Sequence, residues 1–184
     1  MIGNLPKSLE IGGNQYRIRS DFRVALLIFE AFSDTGLNDY EKTEVCLKCL
    51  YKEIPDDKET AYRQAVWFLD GGNFPKSKQN HKKVFDWKQD ENIIFPAVNK
   101  SAGFETRSAE YIHWWTFLGY FSEIGEGLFS QVVNIRTKKS KGKKLEKWER
   151  EFYAEHREII DLKNPVSIEE QAEFDRLNKL LGGG

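Results

Sequence analysis

The sequence holds only two cysteines, Cys46 and Cys49, and three histidines among 184 residues. Two cysteines cannot build a disulfide framework, and such sparing use fits a reducing compartment. A structural zinc site takes four ligands, yet His81, His113 and His156 stand at unpaired spacings far from the cysteines, so no metal is expected. Apolar runs are short as well. None approaches the roughly 20 residues that span a bilayer, so no membrane segment is expected. Neither sign of charge dominates: 28 basic residues meet 29 acidic ones, which argues against a globally basic nucleic-acid binder. The sequence also lacks GxSxG, HExxH, a P-loop and a Rossmann fingerprint. Enzymatic activity is therefore not expected, nor any cofactor. The opening MIGNLPKSLEIGGNQY shows no charged-then-apolar export pattern, and a cytoplasmic location is the expectation.

What is abundant is aromatic and helical patterning. The chain is 40% hydrophobic and 14% aromatic, enough for one well-buried core or two small subdomains. In SLEIGGNQYRIR, Leu9 and Ile11 alternate before a Gly12-Gly13-Asn14 turn, and Tyr16 and Ile18 alternate after it. This pattern predicts a β-hairpin, which needs support because a lone hairpin is marginal in water. The next segment, DFRVALLIFEAF, is the expected support. Ser20 or Asp21 can cap it, Phe22, Ala25, Leu26, Phe29 and Phe32 recur at helical spacing, and Leu27 and Ile28 widen the apolar surface almost all round. Helices over 39–52 and 57–70 follow, the first with Asn38 and Glu41 in capping-box spacing, the second stopped by Gly71-Gly72. The polar stretch NFPKSKQNHKK then separates a hairpin-plus-three-helices half, 1–75, from a helical, aromatic-rich half, 81–184.

In the second half, Asp86 and Gln89 bracket a helix start, and the pattern continues to about Ala102 with Pro96 expected to kink it. A helix over 108–122 carries Tyr111, Trp114, Trp115, Leu118 and Phe121 on one stripe. A short helix with Leu128, Phe129, Val132, Val133 and Ile135 comes next. A long amphipathic helix over 144–160 places Leu145, Trp148, Phe152, His156 and Ile159 three and four residues apart. Ser167 and Glu170 signal a last helix, 167–181. The fold class expected is mainly α, a multi-helix protein with a small N-terminal β-hairpin.

Several constellations invite a chemical reading. Cys46 and Cys49 form a CxxC, but Leu47 and Leu50 set the pair in mid-helix, where core packing is expected rather than redox work. His113 has no defined partner for general-base chemistry, so a hydrogen-bonded packing role is expected. The segment from Arg136 to Arg150 holds eight basic residues against Glu146 and Glu149, and Trp148 within it could stack on a base. Seven of the 25 aromatics fall between Tyr111 and Phe129. Either they form a dense core or part of them meets a partner.

The segments FDWKQDENIIF, YIHWWTFLGYF and VVNIRTKKSKGKK, in this order, resemble the fifteenth-gene-product family of tailed phages of Gram-positive bacteria. The matching positions are Asp86, Trp87, Gln89 and Asp90, then His113, Trp114, Trp115 and Phe117, then Ile135, Arg136 and Thr137. With the N-terminal hairpin, the likeness spans about residues 5–160. Pro96 and Gly103-Phe104 depart from the family pattern. The resemblance implies a siphophage or prophage tail assembly chaperone in the host bacterial cytoplasm. Such a protein coats the tape measure protein and leaves as tail tube subunits polymerise, so the major tail tube protein is a further possible partner. Self-association into a homo-oligomer is also expected. The partner-binding residues expected are Trp114, Trp115, Phe117 and Phe121, with Trp148 and Phe152 as a second patch. The competing reading is a nucleic-acid-binding phage protein that uses Arg136 to Arg150.

Overall fold

Two adjacent glycines at positive φ, 57° at Gly12 and 81° at Gly13, turn the chain back on itself. Strand β1 (Ser8–Ile11) thereby pairs antiparallel with β2 (Asn14–Arg17), with Leu9 opposite Tyr16 and Ile11 opposite Asn14. Both central residues of the turn are left-handed, the geometry that matches the twist of a hairpin and that glycine adopts without strain. The computed structural model describes residues 3–73 and 83–163. Within them the hairpin is followed by eight α-helices, so the protein is mainly α as the sequence predicts. The predicted helix over 167–181 and nearly all of the polar stretch after Asn73 lie outside the described residues.

Helix α1 (Phe22–Ser33) starts where the Asp21 side chain accepts the Arg23 N–H at 3.0 Å. It does not serve as the hairpin's main support. Strand β1 packs on α3 (Lys58–Leu69), while α1 packs against α2 (Asp39–Leu50) and α5 (Trp114–Ser122). The reason lies in the residues just before α1. The Trp114 N–H donates to the Ser20 carbonyl at 2.8 Å and the Phe22 N–H to the Ile112 carbonyl at 2.9 Å. These bonds aim α1 at the C-terminal half. Arg19 meanwhile donates to the carbonyls of Lys48, Cys49 and Tyr51, closing the end of α2 that no helical amide can satisfy.

The capping box on α2 forms between Asn38 and Glu41. Cys46 is fully buried, its thiol pushed up to about 12 by burial, and neither cysteine is in a disulfide. That is the packing role predicted for the pair. Helix α4 (Glu91–Ala102) begins after a turn over 87–90, runs unbroken through the exposed Pro96, and ends at Gly103 in the left-handed conformation. Helix α5 is shorter than the 108–122 expected: Thr106–Ser108 is a separate 3₁₀ turn, and His113 is the cap of α5 rather than a residue inside it.

Helix α6 (Leu128–Ser140) extends beyond its apolar stretch to the lysines. The long helix expected over 144–160 is two pieces, α7 (Lys147–Glu155) and α8 (Arg157–Ile160), broken at His156 with φ −120° and ψ 29°. One buried cluster runs from Leu9 to Phe129 and takes residues from both sides of the polar stretch. At its centre Phe22 of α1 and Phe117 of α5 stack with centroids 4.4 Å apart and planes 2° from parallel. Such a pair contributes about 0.5–1.5 kcal/mol beyond its buried area. A smaller cluster joins Val132, Ile135 and Ile160.

Candidate functional site

The polar residues of the first motif all serve as ties. Asp86 accepts the N–H groups of Lys88 at 2.9 Å and Gln89 at 2.7 Å, which closes the turn ahead of α4. Burial pushes the Asp86 carboxyl up, but Lys83 and these amides together hold it below the ordinary range. The Gln89 amide reaches across to the chain after α8, donating to the Asp161 carbonyl and accepting the Lys163 N–H. Asp90 takes two bonds from Arg136 of α6, at 2.5 and 2.8 Å. Arg136 also donates to the carbonyls of Val84, Ile159 and Ile160. The first and third motifs therefore meet in one buried cluster of hydrogen bonds.

The second motif closes the N-terminal half. His113 accepts the Trp115 N–H on Nδ1 at 3.1 Å and donates from Nε2 to the Pro6 carbonyl at 2.9 Å. A carbonyl can only accept, so the ring is the neutral Nε2–H tautomer. Burial lowers its pKa from the usual 6.5. Trp114 and Trp115 send their indole N–H groups to the carbonyls of Leu69 and Phe68, at 2.9 and 2.8 Å. Two neighbouring side chains thus donate to the last carbonyls of α3, which have no N–H donor within the helix. The packing role predicted for His113 is the one observed, although it acts from a cap.

The six residues expected to meet a partner are separated by burial. Trp114 is 1% exposed and Phe117 is 0% exposed, so both are core side chains with no surface left to offer. Trp115 and Phe121 are half-buried against the same core, Trp115 beside Trp67 and Phe121 beside Trp87. Phe152 is half-buried against the smaller cluster. Trp148 stands out at 51% exposed. It leaves the apolar stripe expected of it because α7 turns Glu149 inward instead. Glu149 is fully buried and accepts from Lys138, Asn134 and the Glu146 N–H. The bond from Lys138, foremost, holds its carboxyl below the ordinary range.

The basic segment is partly spent in the same way. Arg136 pairs with Asp90, Lys138 with Glu149, and Lys139 with Asp161.

The surface that sequence reasoning did not single out lies between α1 and α4. A groove of about 360 Å³ is lined by Phe22, Leu26, Leu27, Trp87 and Phe95, with Arg23, Glu30, Lys88, Glu91 and Arg107 at its edges. It meets a second cleft of about 320 Å³ that reaches Ser33 and Asp34 and shares Glu30, Trp87 and Lys88. A Lys88–Glu30 ion pair links the two helical segments at the junction. Leu27, 57% exposed, is the apolar side chain that opens onto this groove. Its signal was present in the sequence, since α1 is apolar almost all round and a surface helix needs only one apolar stripe.

Among the described residues no helix is long and apolar enough to cross a membrane, and no three His, Cys, Asp or Glu side chains gather as metal ligands. No curated protein and no solved structure matches the chain. The family model described as Bacteriophage Gp15 protein does match, over residues 1–162, which takes in the hairpin, all eight helices and the three motifs; the chain belongs to that family.

Proposed function

We propose that this protein is a tail assembly chaperone that binds the tape measure protein and keeps it soluble while the tail tube forms. The observation that carries the reading is the open α1–α4 groove, with apolar side chains on its floor and charges of both signs at its edges. A tape measure is a long helical protein, and an amphipathic helix laid in a groove buries an apolar stripe at three- and four-residue spacing. Leu27 is the first contact of such a helix, with Trp87 and Phe95 beneath it. Trp148 provides a second, separate point of contact on α7. Of the other residues first considered, Trp115, Phe121 and Phe152 contribute only their exposed edges, and Trp114 and Phe117 act by holding the fold. Many weak grooves along one tape measure add through avidity, which favours self-association of the chaperone, while each contact is weak enough to be displaced singly as the major tail tube protein takes its place.

The nucleic-acid reading is weaker. Four of the eight basic residues from Arg136 to Arg150, namely Arg136, Lys138, Lys139 and Lys147, are already in ion pairs with carboxylates of the same chain, which removes phosphate-neutralising charge.

Co-expression with the tape measure encoded beside it, in high salt, followed by size exclusion with mass measurement, tests the proposal. The tape measure should be soluble only with this protein and should elute with it as a large complex. Leu27→Glu should abolish the complex without loss of thermal stability. An insoluble tape measure beside a lone monomer would rule the proposal out.

A further inference from the structure

We propose that a cleft beside the end of the hairpin binds an acidic peptide segment through Lys7, Arg17 and Lys52. The cleft, about 530 Å³, is lined by these three residues with Ile18, Arg19, Ser20, Asp21 and Tyr111. Backbone bonds bring the three cations together from distant parts of the chain. The Ile18 N–H donates to the Lys7 carbonyl and the Lys52 N–H to the Arg17 carbonyl, so the segment before β1, the end of β2 and the residue after Tyr51 share one wall. Among the described residues, none of the three side chains has a carboxylate partner, whereas eleven ion pairs form elsewhere.

Charge in the cleft is lopsided. Arg19 adds a fourth cation, held in place by the carbonyls of α2. Asp21 is the single acid in the lining, and its carboxylate is taken up by Arg23 and by the amides of Arg23 and Ile112. Four like charges around an open cleft raise the local concentration of anions.

The form of the cleft selects the kind of anion. A compact phosphate is usually held by converging backbone amides at a helix N-terminus or a nest. Here the start of α1 is filled by its own Asp21 cap. The cations sit instead on flexible stems around a space much larger than one phosphate, suited to two or three carboxylates spaced along a chain. The half-exposed Tyr111 ring offers apolar surface to the methylenes between them. The buried Ser20 hydroxyl bonds the Tyr111 hydroxyl at 2.8 Å and fixes the ring at the cleft wall. The inference does not depend on the tape measure reading, since the two clefts share no lining residue and differ in chemistry.

Fluorescence anisotropy with a labelled Glu-Ser repeat peptide, measured against tripolyphosphate and a single-stranded oligothymidylate as competitors, tests it. The peptide should bind the full chain at low salt and weaken as salt rises. The triple variant Lys7→Gln, Arg17→Gln, Lys52→Gln should bind it roughly tenfold or more weakly, because exposed charge pairs each contribute up to about fivefold. Lys141→Gln with Lys143→Gln, on the other basic segment, should leave binding unchanged. Because the three side chains hold no ion pair in the fold, the triple variant should melt as the parent does. If it does not, Lys52→Glu alone carries the comparison. Absent peptide binding, binding indifferent to these substitutions, or tripolyphosphate or oligonucleotide bound in preference to the peptide would each overturn the proposal.

Discussion

Arg136 and Asp90, 46 residues apart in sequence, form a two-pronged ion pair in which both side chains are at least 95% hidden from solvent. The pair joins α6 to the turn before α4. Three further bonds from Arg136, to Val84, Ile159 and Ile160, bring in the segment before α4 and the helix α8. A guanidinium suits this place because its planar fork offers five donors, all needed here. The residue that opens the basic segment is thus the centre of the C-terminal half, and no longer a candidate for phosphate contact.

Breaking this pair should be costly and asymmetric. Arg136→Met leaves the Asp90 carboxylate buried without its partner and three carbonyls without their donor. A loss of about 3–5 kcal/mol is expected, read by urea denaturation. The double variant Asp90→Leu, Arg136→Met should recover part of that loss but not all, since the carbonyls stay unsatisfied.

The junction of α3 and α5 tests the role of one glycine. Gly72 lies at φ +90°, and a Cβ there would stand 2.9 Å from Cη2 of Trp115. Trp115 cannot swing away without giving up its bond to the Phe68 carbonyl. Gly72→Ala should therefore destabilise by about 1–3 kcal/mol. Gly12→Ala, also at positive φ but with open space around its Cβ, should cost less because only the backbone strain remains. Denaturant midpoints of the two variants separate the contributions.

His113 should make the fold sensitive to mild acid. Its folded pKa lies below the ordinary 6.5, so the unfolded chain binds the proton more readily than the folded one. Stability is then full above 6.5 and falls as pH drops through 6.5 toward the depressed folded value. The carboxylates held low, Glu149 and Asp86, act in the same direction at lower pH: stability present above their unfolded values is lost as pH falls toward the folded ones. Melting temperature followed against pH should show an early decline that His113→Asn flattens, with the later decline unchanged.

Two tryptophans should behave oppositely. Trp114→Ala removes a buried ring and its bond to the Leu69 carbonyl, and should cost about 3–5 kcal/mol. Trp148→Ala removes a ring that is half in water, and should shift stability by no more than about 0.5 kcal/mol. If Trp148 contacts the tape measure, the same variant should weaken co-elution. Thermal melts beside pull-downs distinguish a folding defect from a binding one.

Periodicity and capping chemistry are local properties, and they were legible in the sequence. The Gly12-Gly13 turn, the Asn38–Glu41 capping box, the Gly71-Gly72 stop and most helices follow from spacings of two to four residues. The order of the three motifs was sufficient to mark the family. Elements whose limits depend on distant partners were harder. His113 looks helical by its neighbours, yet it caps α5 because the Pro6 carbonyl and the Trp115 amide both claim its ring. The 144–160 stripe placed Trp148 inward with Leu145 and Phe152, but a fully satisfied site for the Glu149 carboxylate rotated the face, so that Leu145 and Phe152 still pack inward while Trp148 turns out.

The sequence by itself determined a helical, aromatic-rich chain with a leading hairpin, because the side-chain pattern along a helix or strand repeats within a few residues. Only the tertiary structure decided which aromatics remain open to a partner. Trp114 and Trp148 each fall on an apolar stripe at helical spacing, yet their exposure differs because burial is set by residues tens of positions away: Phe29 and Leu69 enclose the first, while among the described residues the second stays half in water.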